Sequence, residues 1–279
     1  MIGNESFKAA AGALRSARAL VITAGAGMGV DSGLPDFRGR EGFWKAYPLI
    51  AKLGKSFVEM ANHEWFYRDP RLAWAFYGHR LNLYRKSMPH RGFSQMLEIA
   101  QAKLGGYFVF TSNVDGHFQK AGYAEDRIEE CHGSIHHFQC IGPCGNEIWD
   151  ADGIEVTVDE EVFEAREPLP RCIRCGELAR PNILMFGDWS WNSGRSQQQG
   201  ERLAQWLSSV VERRMRLAIV EMGAGTAVAT VRWQSEQVAR RTGGTLIRIN
   251  PCDTLIPAGP HVALALGAAE GLGAIHAAL

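Results

Sequence analysis

The sequence lacks several features that mark specialised classes of protein. Its 30 basic and 30 acidic residues give a net charge of zero, so charge provides no argument for a nucleic-acid or membrane-surface partner. No apolar run approaches the roughly 20 residues that span a bilayer, and the first residues lack the basic and apolar regions of a signal peptide. There is no internal repeat and no low-complexity tract. We therefore expect a cytoplasmic protein.

What the sequence does contain is an ordinary globular composition. The 279 residues are 46% hydrophobic and 22% charged, which is enough for a full core and a second, smaller domain. Six cysteines are present, and four of them fall into two closely spaced pairs. In a reducing compartment such pairs bind metal more often than they form disulfides.

Apolar runs alternate with helical patterns along most of the chain. The runs predict parallel strands at residues 19–23, 107–111, 183–186, 217–221 and 245–249, and the helical patterns lie near residues 5–17, 70–87, 91–103, 197–213, 231–241 and 267–278. This alternation predicts an α/β fold with a Rossmann-like, doubly wound parallel sheet. Ligands of such folds bind outside the carboxyl ends of the strands, where the sequence places Gly25, Asn113, Gly187, Gly223 and Asn250.

Two segments interrupt the alternation. Residues 38–86 are rich in aromatic side chains, and residues 136–180 contain the cysteine pairs and an acidic stretch. We predict that these two segments form a small inserted domain with a helical part and a zinc module. Residues 1–37, 87–135 and 181–279 then form the nucleotide-binding domain.

The most informative loop is the glycine-rich stretch at residues 25–39, directly after the first predicted strand. Glycines let the backbone turn tightly and approach a ligand closely, and the following helix N-terminus can face phosphate oxygens. The alternative interpretation is a generic glycine-rich turn, which would contain the same glycines. The sequence Pro35-Asp36-Phe37-Arg38 adds a fixed turn, a carboxylate, a ring and a guanidinium, which is unusual for a plain loop.

The two cysteine pairs have the spacing of a zinc site. Cys140 and Cys144 are separated by three residues, and Cys172 and Cys175 by two. Four thiolates complete a tetrahedral site and leave no open position, so the predicted zinc is structural. The alternative is four reduced cysteines without metal.

Three polar side chains at predicted strand ends are candidates for chemistry. Asn113 and Asp115 offer the donor and acceptor groups that a carboxamide needs, although both residue types also cap turns. His132 has the side chain most often used as a general base. We interpret the neighbouring His136 and His137 as packing or surface residues, and Cys131 as buried and structural.

In order along the chain, these motifs resemble those of sirtuins. The resemblance covers essentially the whole chain and rests on residues 25–39, 111–122, 132–134, the cysteine pairs, 180–187, 225–226 and 249–251. It implies NAD-dependent removal of an acyl group from lysine in a protein or peptide substrate. In that reaction the acyl oxygen attacks C1′ of the nicotinamide ribose, nicotinamide leaves, and O-acyl-ADP-ribose is the product.

The resemblance also implies roles for individual residues. His132 is the general base on the ribose hydroxyls, and Asn113 and Asp115 hold the carboxamide in the catalytic centre. The implied NAD-binding set comprises Gly25, Ala26, Gly27, Asp36, Phe37, Arg38, Ser112, Asn113, Asp115, Gly223, Gly225, Thr226 and Asn250. Zinc takes no part in the chemistry.

The chain departs from the sirtuin pattern mainly where the peptide is clamped. Arg232 replaces a proline beside the peptide groove, and Asp188 replaces a glutamate and is followed by the bulky Trp189. Tyr77 and Arg80 resemble the Tyr-x-x-Arg motif of sirtuins that favour succinyl or malonyl groups, because a phenol and a guanidinium one turn apart could bind a carboxylate. Helix packing by the same two residues is the alternative.

These departures leave two further functions open. One is cleavage of NAD with another acceptor, as in mono-ADP-ribosyl transfer or NAD hydrolysis. The other is a non-catalytic NAD-sensing module, against which the presence of His132 argues.

Overall fold

The computed structural model describes residues 4–35, 44–52, 54–142 and 144–279. Within them the strands are Ala19–Ala24 (β1), Tyr107–Thr111 (β2), Ile128–Glu130 (β3), Gly133–Cys140 (β4), Ile148–Asp150 (β5), Val158–Asp159 (β6), Glu164–Ala165 (β7), Ala179–Ile183 (β8), Leu217–Met222 (β9), Thr245–Ile249 (β10) and Val262–Leu264 (β11).

The described helices lie between and beside these strands. They are Asn4–Ser16 (α1), Gly27–Val30 (α2), Pro48–Lys52 (α3), Phe57–Met60 (α4), Trp65–Arg68 (α5), Pro70–Lys86 (α6), Arg91–Gln101 (α7), His117–Lys120 (α8), Gly194–Glu212 (α9), Thr230–Thr242 (α10) and Ala268–Ala277 (α11), with a 3₁₀ turn at Glu125–Arg127. None of these helices is both long and apolar enough to cross a membrane.

The central sheet contains six parallel strands in the order β11-β10-β9-β1-β2-β3. Every residue of β1, β2 and β9 is buried. Since successive strand residues point to opposite faces, Leu20 and Ile22 pack with α1, α7 and α11 in one core, while Val21 packs with α9 and α10 in the other. Helices therefore cover both faces, and the predicted doubly wound fold is confirmed.

The remaining strands form two small antiparallel sheets. β4 lies between β5 and β8, and β6 pairs with β7. The long helix α6 packs on this part of the chain. Asp69 caps it by accepting a hydrogen bond from the amide of Leu72 at 3.0 Å, with Pro70 at the first helical position, where a missing N–H has no cost.

A third apolar core surrounds α6. It joins side chains of residues 34–84 to side chains of residues 114 and 135–185. The division into domains at residues 38–86 and 136–180 stays a prediction.

The prediction of a parallel strand at residues 183–186 was wrong. The strand in this region is β8, which ends at Ile183 and runs antiparallel to β4. The apolar run did not indicate the strand correctly, because Leu184 and Phe186 are each 39% exposed, whereas the polar Arg180 and Asn182 just before them are fully buried. Hydrogen bonds from Arg180 to Asp188 and from Asn182 to Gln139 make that burial possible.

Candidate active site

A cavity of about 710 Å³ opens at the carboxyl ends of the parallel strands. Ala26 follows β1, Ser112, Asn113 and Asp115 follow β2, and His132 follows β3, and all five residues line the cavity. Neighbouring parallel strands end at one edge of a sheet, so residues distant in sequence meet there. The volume is within the range of small-molecule sites.

Local hydrogen bonds hold the segment after β2 in place. The side-chain amide of Asn113 donates to the carbonyl of Gly25 at 3.0 Å, and its backbone amide donates to Oγ1 of Thr111 at 3.0 Å. One carboxylate oxygen of Asp115 accepts from the amide of His117 at 2.9 Å. The turn-capping role that the sequence left open for Asn113 and Asp115 therefore coexists with their position in the cavity wall.

His132 is held as a neutral imidazole at neutral pH. Burial lowers its pKa below the ordinary value of 6.5, against an opposing backbone hydrogen bond with Ser112. The next residue, Gly133, has a φ of +76°, and a Cβ there would lie 2.0 Å from the carbonyl oxygen of Asn182. This glycine therefore lets the chain turn from His132 directly into β4.

The turns after β1 and β9 touch each other. A Cβ on Gly27 would lie 2.7 Å from the Cα of Gly223, and Gly223 has a φ of +58°. Because neither Gly27 nor Gly223 has a side chain, the two turns lie close enough to form one backbone cradle beside the cavity. A dinucleotide needs such a close approach to the backbone. The chain continues from Gly223 to Ala227 and Val228, which line the cavity.

Several residues of the implied NAD-binding set are not part of the cavity lining. These are Gly25, Gly27, Gly223, Gly225, Thr226 and Asn250. Asn250 donates to the carbonyl of Ala224 at 2.9 Å and accepts from the amides of Cys252 and Asp253, so it holds two loops together. Asp36, Phe37 and Arg38 lie outside the described residues.

Tyr77 and Arg80 both face the cavity from α6. Arg80 is only 6% exposed, and its guanidinium carbon lies 5.4–5.7 Å from the ring centroids of Phe76, Tyr77 and Tyr84. Burial raises the pKa of Tyr77 to about 12, so its phenol keeps its proton and can donate a hydrogen bond at neutral pH.

Tyr84 is a further cavity residue that was not predicted from the sequence. Its hydroxyl accepts from Nε and Nη2 of Arg80 at 3.2 and 2.9 Å, and it lines the same cavity. The i, i+4 spacing between Arg80 and Tyr84 on a predicted helix is the signal that could have found it.

Asp188 also lines the cavity, as half of a buried ion pair. Arg180 donates from both terminal nitrogens to the two carboxylate oxygens of Asp188, with Nη1 at 3.1 Å from Oδ1. Asp188 also accepts from the amide of Ser190 at 3.1 Å. Because the pair is charged and bidentate, it fixes the wall strongly.

The neighbours of His132 have packing roles, although Cys131, which we predicted to be buried, is only partly buried. His136 pairs with the carbonyl of Asp115 at 2.9 Å, and His137 with the carboxylate of Asp150 at 3.0 Å. Burial raises the pKa of the Cys131 thiol, so it stays protonated and is a poor nucleophile.

The four paired cysteines lie close together in space. Sγ of Cys140 lies 3.6 Å from that of Cys175, Sγ of Cys144 lies 3.5 Å from that of Cys172, and all four lie within 4.8 Å of one another. A tetrahedral zinc ion with Zn–S bonds of about 2.3 Å requires sulfur–sulfur distances of roughly 3.8 Å. The cluster therefore fits a structural zinc ion, and none of its members lines the cavity.

Comparison with known proteins identifies the family. The model of the Sir2 family matches residues 25–203, which include the glycine turn, His132 and all four clustered cysteines. The chain belongs to the Sir2 family.

Individual Sir2 relatives match different lengths of the chain. An NAD-dependent protein deacylase of Aquifex aeolicus is 32% identical over 169 residues, which cover 61% of this chain and 62% of the relative. The chain thus spans just under two thirds of that relative. The NAD-dependent protein deacylase of Thermus thermophilus is 28% identical over 263 residues, covering 93% of this chain and 89% of the relative. A crystal structure of a Sir2 homologue in complex with NAD is 25% identical, with a TM-score of 0.71 over 99% of this chain and 93% of the other.

Proposed function

We propose that this chain is an NAD-dependent lysine deacylase that acts on acylated proteins or peptides and releases nicotinamide and O-acyl-ADP-ribose. The observation that carries the proposal is the cavity at the strand ends, where Ala26, Asn113, Asp115 and a neutral His132 meet. Membership of the Sir2 family and the similarity to named deacylases support the same conclusion.

The residues around the cavity suit NAD. The backbone cradle of Gly27 and Gly223 and the amides of the adjoining turns would hold the phosphates, as would the loop of Gly225 and Thr226. Asn113 and Asp115 would bind the carboxamide through an amide and a carboxylate. Asn250 would act by positioning the loop that carries Ala224. When bound, NAD supplies an electrophilic ribose carbon and nicotinamide as the leaving group.

In this proposal His132 is the general base. An imidazole that is neutral at pH 7 is ready to accept a proton from a ribose hydroxyl at a ring nitrogen. The close contact of Gly133 with β8 fixes the backbone beside His132. The inner wall of the cavity contains buried apolar side chains such as Tyr77 and Met185, and the low dielectric there strengthens polar contacts.

We further propose that the acyl group is acidic. Arg80 and Tyr77 line the cavity, and Tyr84 holds the Arg80 guanidinium in a fixed orientation. A buried guanidinium presents directed donors to a carboxylate such as that of a succinyl or malonyl group. We place the protein in the cytoplasm, because a reducing compartment keeps the four clustered thiols available for zinc.

The test is product analysis by mass spectrometry. The purified protein is incubated with NAD and with acetyl- or succinyl-lysine peptides, and His132→Ala serves as the inactive control. Peptide-dependent formation of O-acyl-ADP-ribose supports the proposal. Free ADP-ribose or an ADP-ribosylated acceptor would show the alternative NAD-cleaving reactions, and unchanged NAD with every peptide would show an NAD-sensing module. Either of these results would contradict a deacylase.

A further inference from the structure

The mouth of the cavity is lined by unusually exposed apolar side chains. Among the described residues, fifteen large hydrophobic side chains are exposed, and five of them line this one cavity: Val58, Leu184, Phe186, Trp189 and Val228. They come from α4, from the segment after β8 and from the turn before α10, so no single amphipathic element explains them. Scattered exposed apolar residues are ordinary, but a cluster at one place marks an interaction surface.

Trp189 is the extreme member, with 97% of its surface exposed. Its loop is nevertheless anchored on both sides. Asp188 is held by Arg180, and the carbonyl of Ser190 accepts from the side-chain amide of Gln139 at 2.9 Å. The indole is therefore presented to solvent by a fixed backbone, which reduces the entropy that a binding partner must overcome.

Charge is present inside the described cavity but not at its mouth. Among the described positions, the charged lining residues are Arg80, Asp115 and Asp188. Arg80 is 6% exposed, Asp115 is 8% exposed, and the side chain of Asp188 is fully buried. The mouth therefore offers apolar contacts to whatever enters, and the interior offers the ionic ones.

We propose that this apolar rim selects substrates in which a bulky aromatic or aliphatic residue directly flanks the acylated lysine. The inference rests on the proposed deacylase function and names a substrate class within it. The rim is continuous with the cavity that would take the acyl-lysine side chain, so the residues beside that lysine must lie against it. Trp is among the residues that dominate binding at such interfaces, because its large ring loses little conformational entropy.

The test compares the affinities of matched peptides. Three fluorescein-labelled succinyl-lysine peptides differ only in the two residues flanking the lysine, which are Phe, Ser or Asp. Fluorescence anisotropy without NAD gives each Kd, and nicotinamide release with NAD gives each kcat/KM. We expect the Phe peptide to bind about tenfold more tightly than the Ser peptide, since burying one large apolar side chain supplies at least that factor, and the Asp peptide to bind most weakly.

Two variants separate the rim from the rest of the surface. Trp189→Ser should reduce the Phe-to-Ser affinity ratio to about one. Trp233→Ser removes an indole that is 59% exposed on α10 and does not line the cavity, so it should keep the wild-type ratio. Equal affinity for the Phe and Ser peptides, or the same loss of ratio in both variants, would overturn the inference. Absence of turnover with a preserved affinity ratio would instead count against the deacylase reaction alone.

Discussion

Arg180 and Asp188 form a bidentate ion pair whose two side chains are 1% and 0% exposed. The pair connects β8 to the loop that forms one wall of the cavity. Asp188 also accepts from the amides of Met185 and Ser190 at 3.4 and 3.1 Å. One carboxylate thus fixes both the wall residues before it and the exposed Trp189 after it.

We predict that Asp188→Asn lowers the free energy of unfolding by about 3–5 kcal/mol, because Arg180 would remain buried without a counter-charge. Denaturant titration measures this loss. The control is Glu64→Gln, which breaks a solvent-exposed pair with Arg68 on one helix surface and should cost less than about 1 kcal/mol. If both variants show an equally small loss in the free energy of unfolding, the backbone hydrogen bonds of the loop hold the cavity wall without the ion pair.

A second prediction concerns the pH dependence of turnover. Burial lowers the pKa of His132 below 6.5, and the neutral ring is the form that accepts a proton. Turnover should therefore be constant at neutral pH and fall as the pH drops through that lowered pKa. His132→Ala should reduce kcat by ~10²-fold or more and abolish this acidic limb.

The control for His132 is His276→Ala, which removes a histidine that pairs with Glu98 at 3.1 Å outside the cavity. Its pH–rate profile should match that of the unchanged protein. An acidic limb that persists in His132→Ala would assign the titration to another group and remove His132 from the proton transfer.

The central sheet could be predicted because its strands are buried on both faces. Such strands appear as continuous apolar runs, and four of the five predicted runs are strands of the sheet. The two three-residue edge strands, β3 and β11, were not among the predicted runs. Cysteine spacing indicated the metal site for a similar reason, since short loops between ligands are required by the tetrahedral geometry.

The cavity wall could not be predicted in the same way. At residues 180–186 the polar Arg180 and Asn182 are buried through specific partners, whereas the apolar Leu184 and Phe186 are exposed, which inverts the usual relation between sequence and burial at these positions. The partners of Arg180 and Asn182 come from residues 139 and 188–192, so only the folded chain identifies them. The spacing of Tyr84 from Arg80 is visible in the sequence, but only the folded chain shows that this side of α6 meets the cavity.

A third prediction concerns the metal. We expect one zinc ion per chain, and we expect Cys172→Ala to lose the ion and at least the local fold around β4, β5 and β8, because removing one ligand of a structural site removes its folding energy. Metal analysis and thermal unfolding measure both effects. Cys252→Ser is the control, since this exposed cysteine lies outside the cluster. Full metal content in Cys172→Ala would contradict a four-thiolate site.

The last prediction tests the acyl pocket. If Arg80 receives an acyl carboxylate, the protein should have a higher kcat/KM for a succinyl-lysine peptide than for an acetyl-lysine peptide. Tyr84 already orients the guanidinium by accepting two hydrogen bonds, so a carboxylate gains directed contacts that a methyl group cannot make. Arg80→Met should damage succinyl turnover and spare acetyl turnover, reversing the preference.

Arg71→Met is the control on the same helix, because Arg71 pairs at the surface with Glu164. Acetyl turnover reports whether the Arg80→Met variant is folded, and equal losses on both peptides would make Arg80 a structural residue of α6.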